Sequence, residues 1–349
     1  MFKHLIFVGE RPIKNNHAGN KARLDIDSIL SIRYGKPVVN FDQIEFKTFW
    51  QKISYIFDVD TLKCILKCLN VKNKYVILQI PSYFNIFVKN VLENLIGNNK
   101  TIMFVHDTDA LRNFGNDMIS NEIKRLNKAD IVILHNPKME MKLRELGLKN
   151  KVVNIELFDY LLDEAIPQKI YVLNKEIAFA GNLGKSEFLK NKELKKLRIK
   201  FNLYGPNFDK KSINVENVEY CGSFGPDEIP YRLKGSFGLI WDGGEIDTCS
   251  GPFGNYMRYN NPHKLSLYIA AGLPVIVWEE AAIADFVRKY DIGFTIKSLF
   301  EISSAIEKTK LEKYEQYKEN ILMLQKNVTA GYYTKNVLDQ VEKIIEERC

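Results

Sequence analysis

The chain has 349 residues, 46% hydrophobic and 27% charged, a composition typical of a globular protein large enough for two domains. No stretch approaches the roughly 18 apolar residues of a membrane span, and the apolar start is too short for a secretory signal peptide. The net charge of +7 is spread along the chain, without the basic stripe and interleaved aromatic residues that nucleic-acid binding requires. The five cysteines are scattered and include no C-x-x-C pair, which favours reduced thiols in a cytoplasmic protein.

Strands and helices alternate in the first half of the sequence. Strands are predicted at residues 1–9, 38–41, 75–80, 101–105, 130–134 and 151–155, and helices at residues 22–34, 43–72, 84–97, 116–128 and 137–146. The run YVILQI at 75–80 is apolar almost throughout, as expected of a parallel strand that is buried on both faces. Short strands that alternate with helices predict a doubly wound parallel sheet.

A second series follows a stretch without clear periodicity. Residues 158–175 contain Pro167 and are predicted to be an interdomain linker. Beyond it, strands are predicted at 176–180, 200–204, 217–221, 237–241, 275–278 and 292–296, with helices between them and a helix at 301–324. The last segment, 336–347, is amphipathic and is predicted to cross back onto the first domain. The fold class is therefore α/β, with two Rossmann-like doubly wound domains facing each other across a cleft and ligands at the carboxyl ends of the strands.

A helix that begins near Asn261 carries unusual charges in its first turn. Asn261 is predicted to be the N-cap and Pro262 the first helical residue. The first turn carries His263 and Lys264, with Arg258 upstream, although the N-terminus of a helix is itself positive. Cations there cost up to about 1 kcal/mol each unless an anion joins them. The pattern predicts a phosphate site at this N-terminus, and a solvated lysine is the equal alternative.

Two titratable side chains follow the predicted strand at 101–105. Asp107 is the candidate general base, because a carboxylate at a strand end beside an apolar cleft can take a proton from a hydroxyl nucleophile. His106 is the rival for that role, and a helix-capping Asp107 and a loop-orienting His106 are the structural alternatives. The D-x-D pair of Asp107 and Asp109 also fits a Mg²⁺ or Mn²⁺ site with a diphosphate. We favour a metal-free site, because a lysine and a helix N-terminus can neutralise a leaving diphosphate.

The loop after the predicted strand at 237–241 carries two acidic residues and a cysteine. Asp242 and Asp247 flank a glycine pair, and they suit hydrogen bonds to sugar hydroxyls as well as an ordinary turn. Cys249 has no histidine near it in the sequence, so a packed thiol is favoured over a nucleophile.

Five segments of the sequence resemble one family. They are HAGNKARLD (17–25), FVHDTDALR (104–112), FAGNL (179–183), FGLIWDG (237–243) and TCSGPFGNYMRYNNPHKLSLY (248–268). The chain resembles the bacterial β-1,6-galactofuranosyltransferases of surface-polysaccharide synthesis and, more distantly, the glucosyltransferases that extend GlcNAc on serine-rich repeat adhesins. The TCSG block is shared with the galactofuranosyltransferases only. The resemblance implies a GT-B fold, a UDP-sugar donor, no metal or other cofactor, and inversion at the anomeric carbon.

The implied activity is the transfer of galactofuranose from UDP-galactofuranose to a sugar hydroxyl. Residues 1–160 would then form the acceptor-side domain, residues 161–325 the UDP-sugar domain, and residues 326–349 a helix that returns to the first domain. The alternatives are a transferase for UDP-glucose or UDP-GlcNAc, a metal-dependent transferase, and a non-catalytic GT-B-like subunit that binds glycan. The presence of Lys264 favours an enzyme.

The resemblance also implies roles for individual residues. Lys264, beside Asn261 and His263, matches the lysine on the UDP diphosphate, and Asp107 falls in the loop that would meet the acceptor. The implied donor-binding residues are Asn182, Tyr204, Gly222, Ser223, Phe224, Asp242, Asn261, His263 and Lys264. A loop for the acceptor or the donor sugar is assigned to His17, Gly19, Asn20, Arg23, Asp247, Cys249 and Ser250.

The acceptor class that the resemblance implies is a glycan or a lipid-linked oligosaccharide. A cytoplasmic location is expected with it. A peripheral contact with the inner face of the cell membrane, through the basic run at 185–200, is compatible with the sequence, as is a homo-oligomer. The sequence predicts no nucleic-acid partner.

Overall fold

The computed structural model describes residues 5–11, 20–42, 58–81, 86–112, 116–164 and 171–347. These residues form two six-stranded sheets in which every paired strand is parallel to its neighbour. Helices pack against both sheets, so the predicted pair of Rossmann-like domains is confirmed.

The first sheet has the strand order β2-β1-β3-β4-β5-β6. Its strands are β1 (Leu5–Arg11), β2 (Val39–Asp42), β3 (Tyr75–Ile80), β4 (Lys100–Val105), β5 (Ile131–Leu134) and β6 (Lys151–Asn154). Its helices are α1 (Lys21–Tyr34), α2 (Val59–Asn70), α3 (Ile86–Gly97), α4 (Asn116–Leu126) and α5 (Pro137–Glu145). The order reverses between β1 and β3, and such a reversal opens a crevice at the carboxyl ends of the strands.

The predicted helix at 43–72 is described only as α2. Asp58 caps it, because its carboxylate accepts hydrogen bonds from the backbone N–H groups of Asp60 and Thr61. Residues 43–57 lie outside the described part of the chain.

The second sheet has the order β12-β11-β10-β7-β8-β9. Its strands are β7 (Glu176–Ala180), β8 (Lys200–Tyr204), β9 (Val218–Gly222), β10 (Phe237–Ile240), β11 (Val275–Trp278) and β12 (Gly293–Ile296). The α-helices of this half are α6 (Ile229–Arg232), α7 (Gly251–Tyr256), α8 (His263–Ala270), α9 (Ala284–Tyr290), α10 (Ile302–Lys308) and α11 (Leu311–Thr329), and a last helix follows as α12 (Tyr332–Glu346).

Three predictions about helices in the second half are wrong. Two 3₁₀ segments, Glu187–Lys190 and Lys192–Leu197, replace an α-helix between β7 and β8, because Asn191 between them is extended and caps the second segment. The described residues between β8 and β9 form no helix, since the connection begins with Gly205 in the left-handed region. The predicted helix at 301–324 is broken at Thr309, which has an extended backbone, into α10 and α11.

Two elements of the second half pack against the first domain. Helix α12 contacts α1: the Arg33 Nε donates to Glu342 Oε1 at 2.9 Å, and the Tyr34 hydroxyl donates to the same oxygen at 2.6 Å. From α7, the buried Tyr256 joins the core of the first domain, and its hydroxyl accepts the Thr108 N–H at 3.1 Å. These contacts hold the two domains together, so that the carboxyl ends of the strands in one sheet face those in the other. Among the described residues, no helix is both long and apolar enough to cross a bilayer.

Candidate active site

A cavity of about 510 Å³ lies between the two domains, at the carboxyl ends of their strands. Seven of the predicted site residues line it: Asp107, Asn182, Tyr204, Phe224, Asp242, His263 and Lys264. Among the wall residues that the sequence did not single out are Tyr160 and Ile229. A larger groove of about 820 Å³ lies at the edge strand β9, and it contains none of the predicted residues.

Lys264 brings a positive charge to the N-terminus of α8. Its Nζ lies 3.4 Å from the carbonyl oxygen of Trp241 and 4.4 Å from the ring centroid of Phe179. Burial lowers the pKa of Lys264, and the nearby Asp242 opposes that shift. No carboxylate of the described residues forms an ion pair with it. A partly buried ammonium group beside free helix N–H groups is a site for an anion.

Gly181 allows Lys264 to lie across the end of β7. A Cβ atom at Gly181 would come within 3.0 Å of the Lys264 Cε. At the end of β8, Gly205 has a φ of +134°, and a Cβ there would come within 1.9 Å of the carbonyl oxygen of Gly181. The close approach of these two strand ends therefore requires glycine at both positions.

The prediction of three cations at the start of α8 is wrong for two of them. Burial lowers the pKa of His263 to about 4, so its ring is neutral near pH 7. The ring stacks on Tyr160 with centroids 5.0 Å apart. Arg258 forms an ion pair with Glu280, next to the ring of Trp278, and it does not line the cavity. Lys264 is thus the cation that this helix start presents to the cavity.

Asn261 is not the N-cap of α8, because the helix begins at His263 with Pro262 as its N-cap. The Asn261 amide is buried between the domains, where its Nδ2 donates to the carbonyl oxygens of His135 and Glu156, both at 2.8 Å. Its role in the structure is to join the domains, and it does not line the cavity. The amide thus ties two backbone carbonyl groups of the first domain to the segment that precedes α8.

Two aromatic residues form the far wall of the cavity. Tyr204 and Phe224 lie with ring centroids 6.4 Å apart. The Tyr204 hydroxyl is already used, since it accepts the Lys234 N–H at 2.9 Å. Gly222 and Ser223 do not line the cavity, but a Cβ at Gly222 would come within 3.2 Å of the Phe224 ring. Gly222 thus leaves room for Phe224, whose ring is the surface on which a base can stack.

The loop after β10 reaches the cavity only through Asp242. The Asp242 Oδ1 accepts the Gly243 N–H at 2.9 Å. Asp247, Cys249 and Ser250 do not line the cavity, contrary to their predicted place in a substrate loop. Asp247 is exposed, and Cys249 is a packed thiol whose pKa is raised by burial.

Asn182, after β7 of the second domain, and Asp107, after β4 of the first domain, both line the cavity. The Asn182 Oδ1 accepts the Gly184 N–H at 3.1 Å, which holds the turn after β7. Asp107 forms an ion pair with Arg112, whose Nη2 lies 2.6 Å from the Asp107 Oδ1. Burial lowers the pKa of Arg112, but the charge and hydrogen bond of Asp107, together with Tyr256 and Asp109, outweigh it, and the pKa is raised overall. Sequence reasoning missed Arg112, although it lies in the resembling segment at 104–112.

The D-x-D pair is shared by the same guanidinium, because Arg112 Nη1 also lies 3.7 Å from Asp109. The described residues contain no cluster of three or more His, Cys, Asp or Glu placed to hold a metal ion. Arg112 therefore pairs with both carboxylates of the D-x-D segment.

His106 stands beside Asp107 but is not part of the cavity wall. Its ring stacks on Phe104 and Phe158, with centroids 5.7 and 5.5 Å away. Burial lowers the pKa of His106 well below 6.5, with further lowering by Arg23 and by His135 and His263. A neutral ring with so low a pKa is a weak proton acceptor, and of the two residues Asp107 is the one that lines the cavity.

Part of the predicted first-domain loop is also placed away from the cavity. Arg23 is buried and forms an ion pair with Glu10 at 3.2 Å, and its Nη2 donates to the Pro81 carbonyl at 2.5 Å. Asn20 lies at the start of α1 without capping it, and His17 and Gly19 lie outside the described residues. Arg23 can be buried because Glu10 of the same domain balances its charge.

Comparisons with known proteins agree with this architecture. Residues 12–157 match the family described as Glucosyltransferase 3-like, N-terminal domain, and residues 177–341 match its C-terminal domain. The chain belongs to the glucosyltransferase 3-like family. It is therefore a glycosyltransferase, as the resemblance implied.

Two relatives of this chain differ in how much of its length they match. The β-1,6-galactofuranosyltransferase WbbI of Escherichia coli K12 is 31% identical, and the match covers 97% of this chain and 98% of the relative. Glucosyltransferase 3 of Streptococcus gordonii is 30% identical, and the match covers 70% of this chain and 72% of the relative.

A solved structure shows the same fold at low identity. The Anabaena protein HepE, in complex with UDP and glucose, is similar with a TM-score of 0.59 and 12% identity. The similarity covers 98% of this chain and 100% of HepE. The glucosyltransferase 3-like chain thus has the GT-B fold that the resemblance implied, with its cavity between the two domains.

Proposed function

We propose that this glycosyltransferase moves galactofuranose from UDP-galactofuranose to a hydroxyl of a glycan or lipid-linked oligosaccharide, with inversion at the anomeric carbon. The observation that carries the proposal is the match to WbbI over 97% of the chain. The streptococcal glucosyltransferase has a similar identity but matches only 70% of the chain. Coverage, rather than identity, favours the galactofuranosyl donor.

The donor half of the cavity has the parts that a UDP diphosphate needs. Lys264 and the N–H groups at the start of α8 supply positive charge, and Phe224 supplies an aromatic face for uracil. Charge grows on the diphosphate as the bond to the sugar breaks, so these groups stabilise the transition state more than the bound donor. We propose that no metal ion is needed, because the lysine takes its place.

The acceptor half supplies the base. Asp107 takes the proton of the acceptor hydroxyl, whose oxygen then forms a bond to the anomeric carbon as the carbon–oxygen bond to UDP breaks. The bonding electrons leave with UDP, and the transition state is oxocarbenium-like, as in glycoside hydrolysis. Because Arg112 lies 2.6 Å from the Asp107 Oδ1, an acceptor hydroxyl that approaches this oxygen competes with the ion pair.

A peripheral membrane contact has less support than the transfer itself. In the basic run at 185–200, Lys190 pairs with Glu187 at 2.7 Å and Lys196 pairs with Glu193. Lys200 pairs with Glu219 at 2.7 Å. These pairs reduce the net charge that the run offers to an anionic surface. We propose a cytoplasmic location, where UDP-sugars and the cytoplasmic ends of lipid-linked acceptors meet.

A transferase for UDP-glucose is the second candidate, and the streptococcal relative named Glucosyltransferase 3 favours it. The two are separated by incubating the full chain with UDP-galactofuranose, UDP-galactopyranose, UDP-glucose or UDP-GlcNAc and a panel of p-nitrophenyl hexopyranosides. The expected result is UDP release and a new disaccharide with UDP-galactofuranose, unchanged by EDTA.

Other outcomes point to other functions. A product from UDP-glucose alone supports the second candidate, and loss of activity in EDTA contradicts the metal-free account. If no donor reacts with any acceptor, while a glycan still binds, the chain is a non-catalytic subunit.

A further inference from the structure

A buried glutamine of the first domain forms a hydrogen bond with the ring of His106. Gln79 lies near the end of β3 and is 4% exposed. Its Oε1 is 2.6 Å from the His106 Nε2. Its Nε2 is 2.7 Å from the Asp27 Oδ1 and 3.3 Å from the backbone carbonyl oxygen of Arg23. All three polar atoms belong to the first domain.

The hydrogen bonds determine which way the Gln79 amide points. The carbonyl oxygen of Arg23 can only accept a hydrogen bond, so the amide nitrogen of Gln79 faces it whatever the protonation of Asp27. The second N–H of that nitrogen goes to Asp27, and the amide oxygen is left to face His106. Turning the amide over would bring its oxygen against the Arg23 carbonyl.

The amide in turn determines the tautomer of His106. An amide oxygen can only accept, so the His106 Nε2 must carry a hydrogen. Since burial lowers the pKa of His106 well below 6.5, the ring is neutral near pH 7 and has no second N–H. The other ring nitrogen, Nδ1, therefore carries a lone pair.

Both the ring plane and the glutamine are held firmly. The His106 ring stacks on Phe158 with an interplanar angle of 10° and on Phe104 with an angle of 21°. Asp27 is fixed from the other side, because its Oδ2 accepts the Glu10 N–H at 3.3 Å. No described residue forms a hydrogen bond with the His106 Nδ1, and the side chain keeps part of its surface exposed.

We propose that Gln79 is a positioning residue that holds His106 as the Nε2–H tautomer, so that Nδ1 accepts a hydrogen bond from a hydroxyl of the acceptor sugar. This hydroxyl is a neighbour of the attacking one, because the proton of the attacking hydroxyl goes to Asp107. The proposal rests on the proposed transfer to a sugar. The proposal requires that the acceptor sugar carry a second hydroxyl group, on a carbon next to the one that bears the attacking hydroxyl.

The tautomer is measured directly on the unmodified protein. Long-range ¹H–¹⁵N spectra of the chain labelled with ¹⁵N-histidine, recorded at pH 7.5, distinguish a protonated Nε2 from a protonated Nδ1. The His106 signals are those lost in His106→Asn. The expected spectrum has the proton on Nε2, and a proton on Nδ1 overturns the proposal. A chain that turns over no UDP-sugar contradicts the proposed function, while this spectrum still decides the tautomer.

A variant tests the effect on the acceptor. Gln79→Met removes the amide but keeps the length of the side chain, so His106 is free to exchange tautomers. The expected result is a KM for the p-nitrophenyl hexopyranoside acceptor about tenfold higher, the effect of one hydrogen bond, with an unchanged Kd for UDP. Thr101→Val on the same sheet is the control for disturbed packing, and it should leave both constants unchanged.

A double variant separates positioning from packing. In the His106→Ala background, Gln79→Met should raise the acceptor KM no further, because its effect acts through His106. An equal effect in both backgrounds, or an unchanged KM in the single variant, overturns the proposal. If Gln79→Met does not fold, the spectrum of the unmodified protein still tests the tautomer.

Discussion

The backbone carbonyl of Asp159 accepts the hydrogen bond of the His263 Nε2 at 3.0 Å. The carboxylate of the same residue caps α12, because it accepts the N–H groups of Tyr333 at 3.1 Å and Thr334 at 2.7 Å. One buried residue thus links the cavity wall to the helix that returns to the first domain. His263 is neutral near pH 7 because burial, with Tyr160 stacked on its ring, lowers its pKa to about 4, although the hydrogen bond to the Asp159 carbonyl opposes that shift.

Asp159 should affect stability in a pH-dependent way. Burial raises its pKa to about 6, against about 3.9 in an unfolded chain. The folded state therefore binds more protons between pH 4 and 6, and the contribution of Asp159 to the free energy of unfolding falls as pH rises through that window. Asp159→Asn removes the titration. Relative to the wild type, the variant should gain roughly 2 kcal/mol between pH 4 and pH 7.

Urea unfolding of both proteins at pH 4.5, 5.5 and 7 measures this difference. The comparison has to be between variant and wild type, because burial lowers the pKa of His135 to about 3 and of His263 to about 4. These histidines make stability rise with pH in the same range, with the opposite sign. The loss of one cap oxygen is the same at each pH. Parallel curves for the two proteins would show that Asp159 does not titrate in this window.

Lys264→Met should separate binding from folding. The variant removes a buried ammonium group that no described carboxylate pairs with, so the free energy of unfolding without UDP should stay unchanged or rise. Turnover should fall by about 10²-fold, the usual effect of losing one group that stabilises developing charge. Lys185→Met, on the exposed side of the same cavity, is the control with a smaller expected effect. Unchanged kcat and UDP affinity in Lys264→Met would contradict the diphosphate assignment.

Gly181→Ala tests the same site through its shape. The added Cβ would lie 3.0 Å from the Lys264 Cε, so the lysine has to move away from the end of β7. We expect UDP affinity to fall about tenfold by calorimetry, while the melting temperature changes little, since the lysine is flexible. Gly225→Ala is the matched control, because a Cβ there meets nothing within 4 Å. Equal UDP affinities for the two variants would show that Lys264 does not contact UDP.

The strands were predictable because burial on both faces leaves a signal in the sequence. The bounds of Tyr75–Ile80, Glu176–Ala180 and Val275–Trp278 agree with the predictions residue for residue. Connections such as Glu187–Lys190 carry no comparable signal, since 3₁₀ turns and irregular loops depend on local caps. The fold class followed from the strands alone.

The site was predictable where a residue follows a strand or begins a helix at the carboxyl edge of a sheet. Lys264 and Asp107 line the cavity as expected, because each follows a strand or begins a helix at the carboxyl edge. The burial of the His263 ring and the interdomain role of Asn261 depend on groups more than a hundred residues away in the sequence. Gln79 did leave a signal, as the one polar residue inside the run at 75–80.

Asp107→Asn should lower kcat by 10²-fold or more and leave the Kd for UDP unchanged, because the carboxylate lies on the acceptor wall. Arg112→Gln is the informative companion. It removes the ion pair at 2.6 Å and leaves Asp107 free without altering the donor half. If Arg112 only holds Asp107 until the acceptor displaces it, the acceptor KM should fall in Arg112→Gln while kcat is kept. A kcat that falls as far as in Asp107→Asn would show instead that Arg112 is needed in the transition state. Weakened UDP binding in Asp107→Asn would place this carboxylate on the donor side, and the assignment of the base would then be wrong.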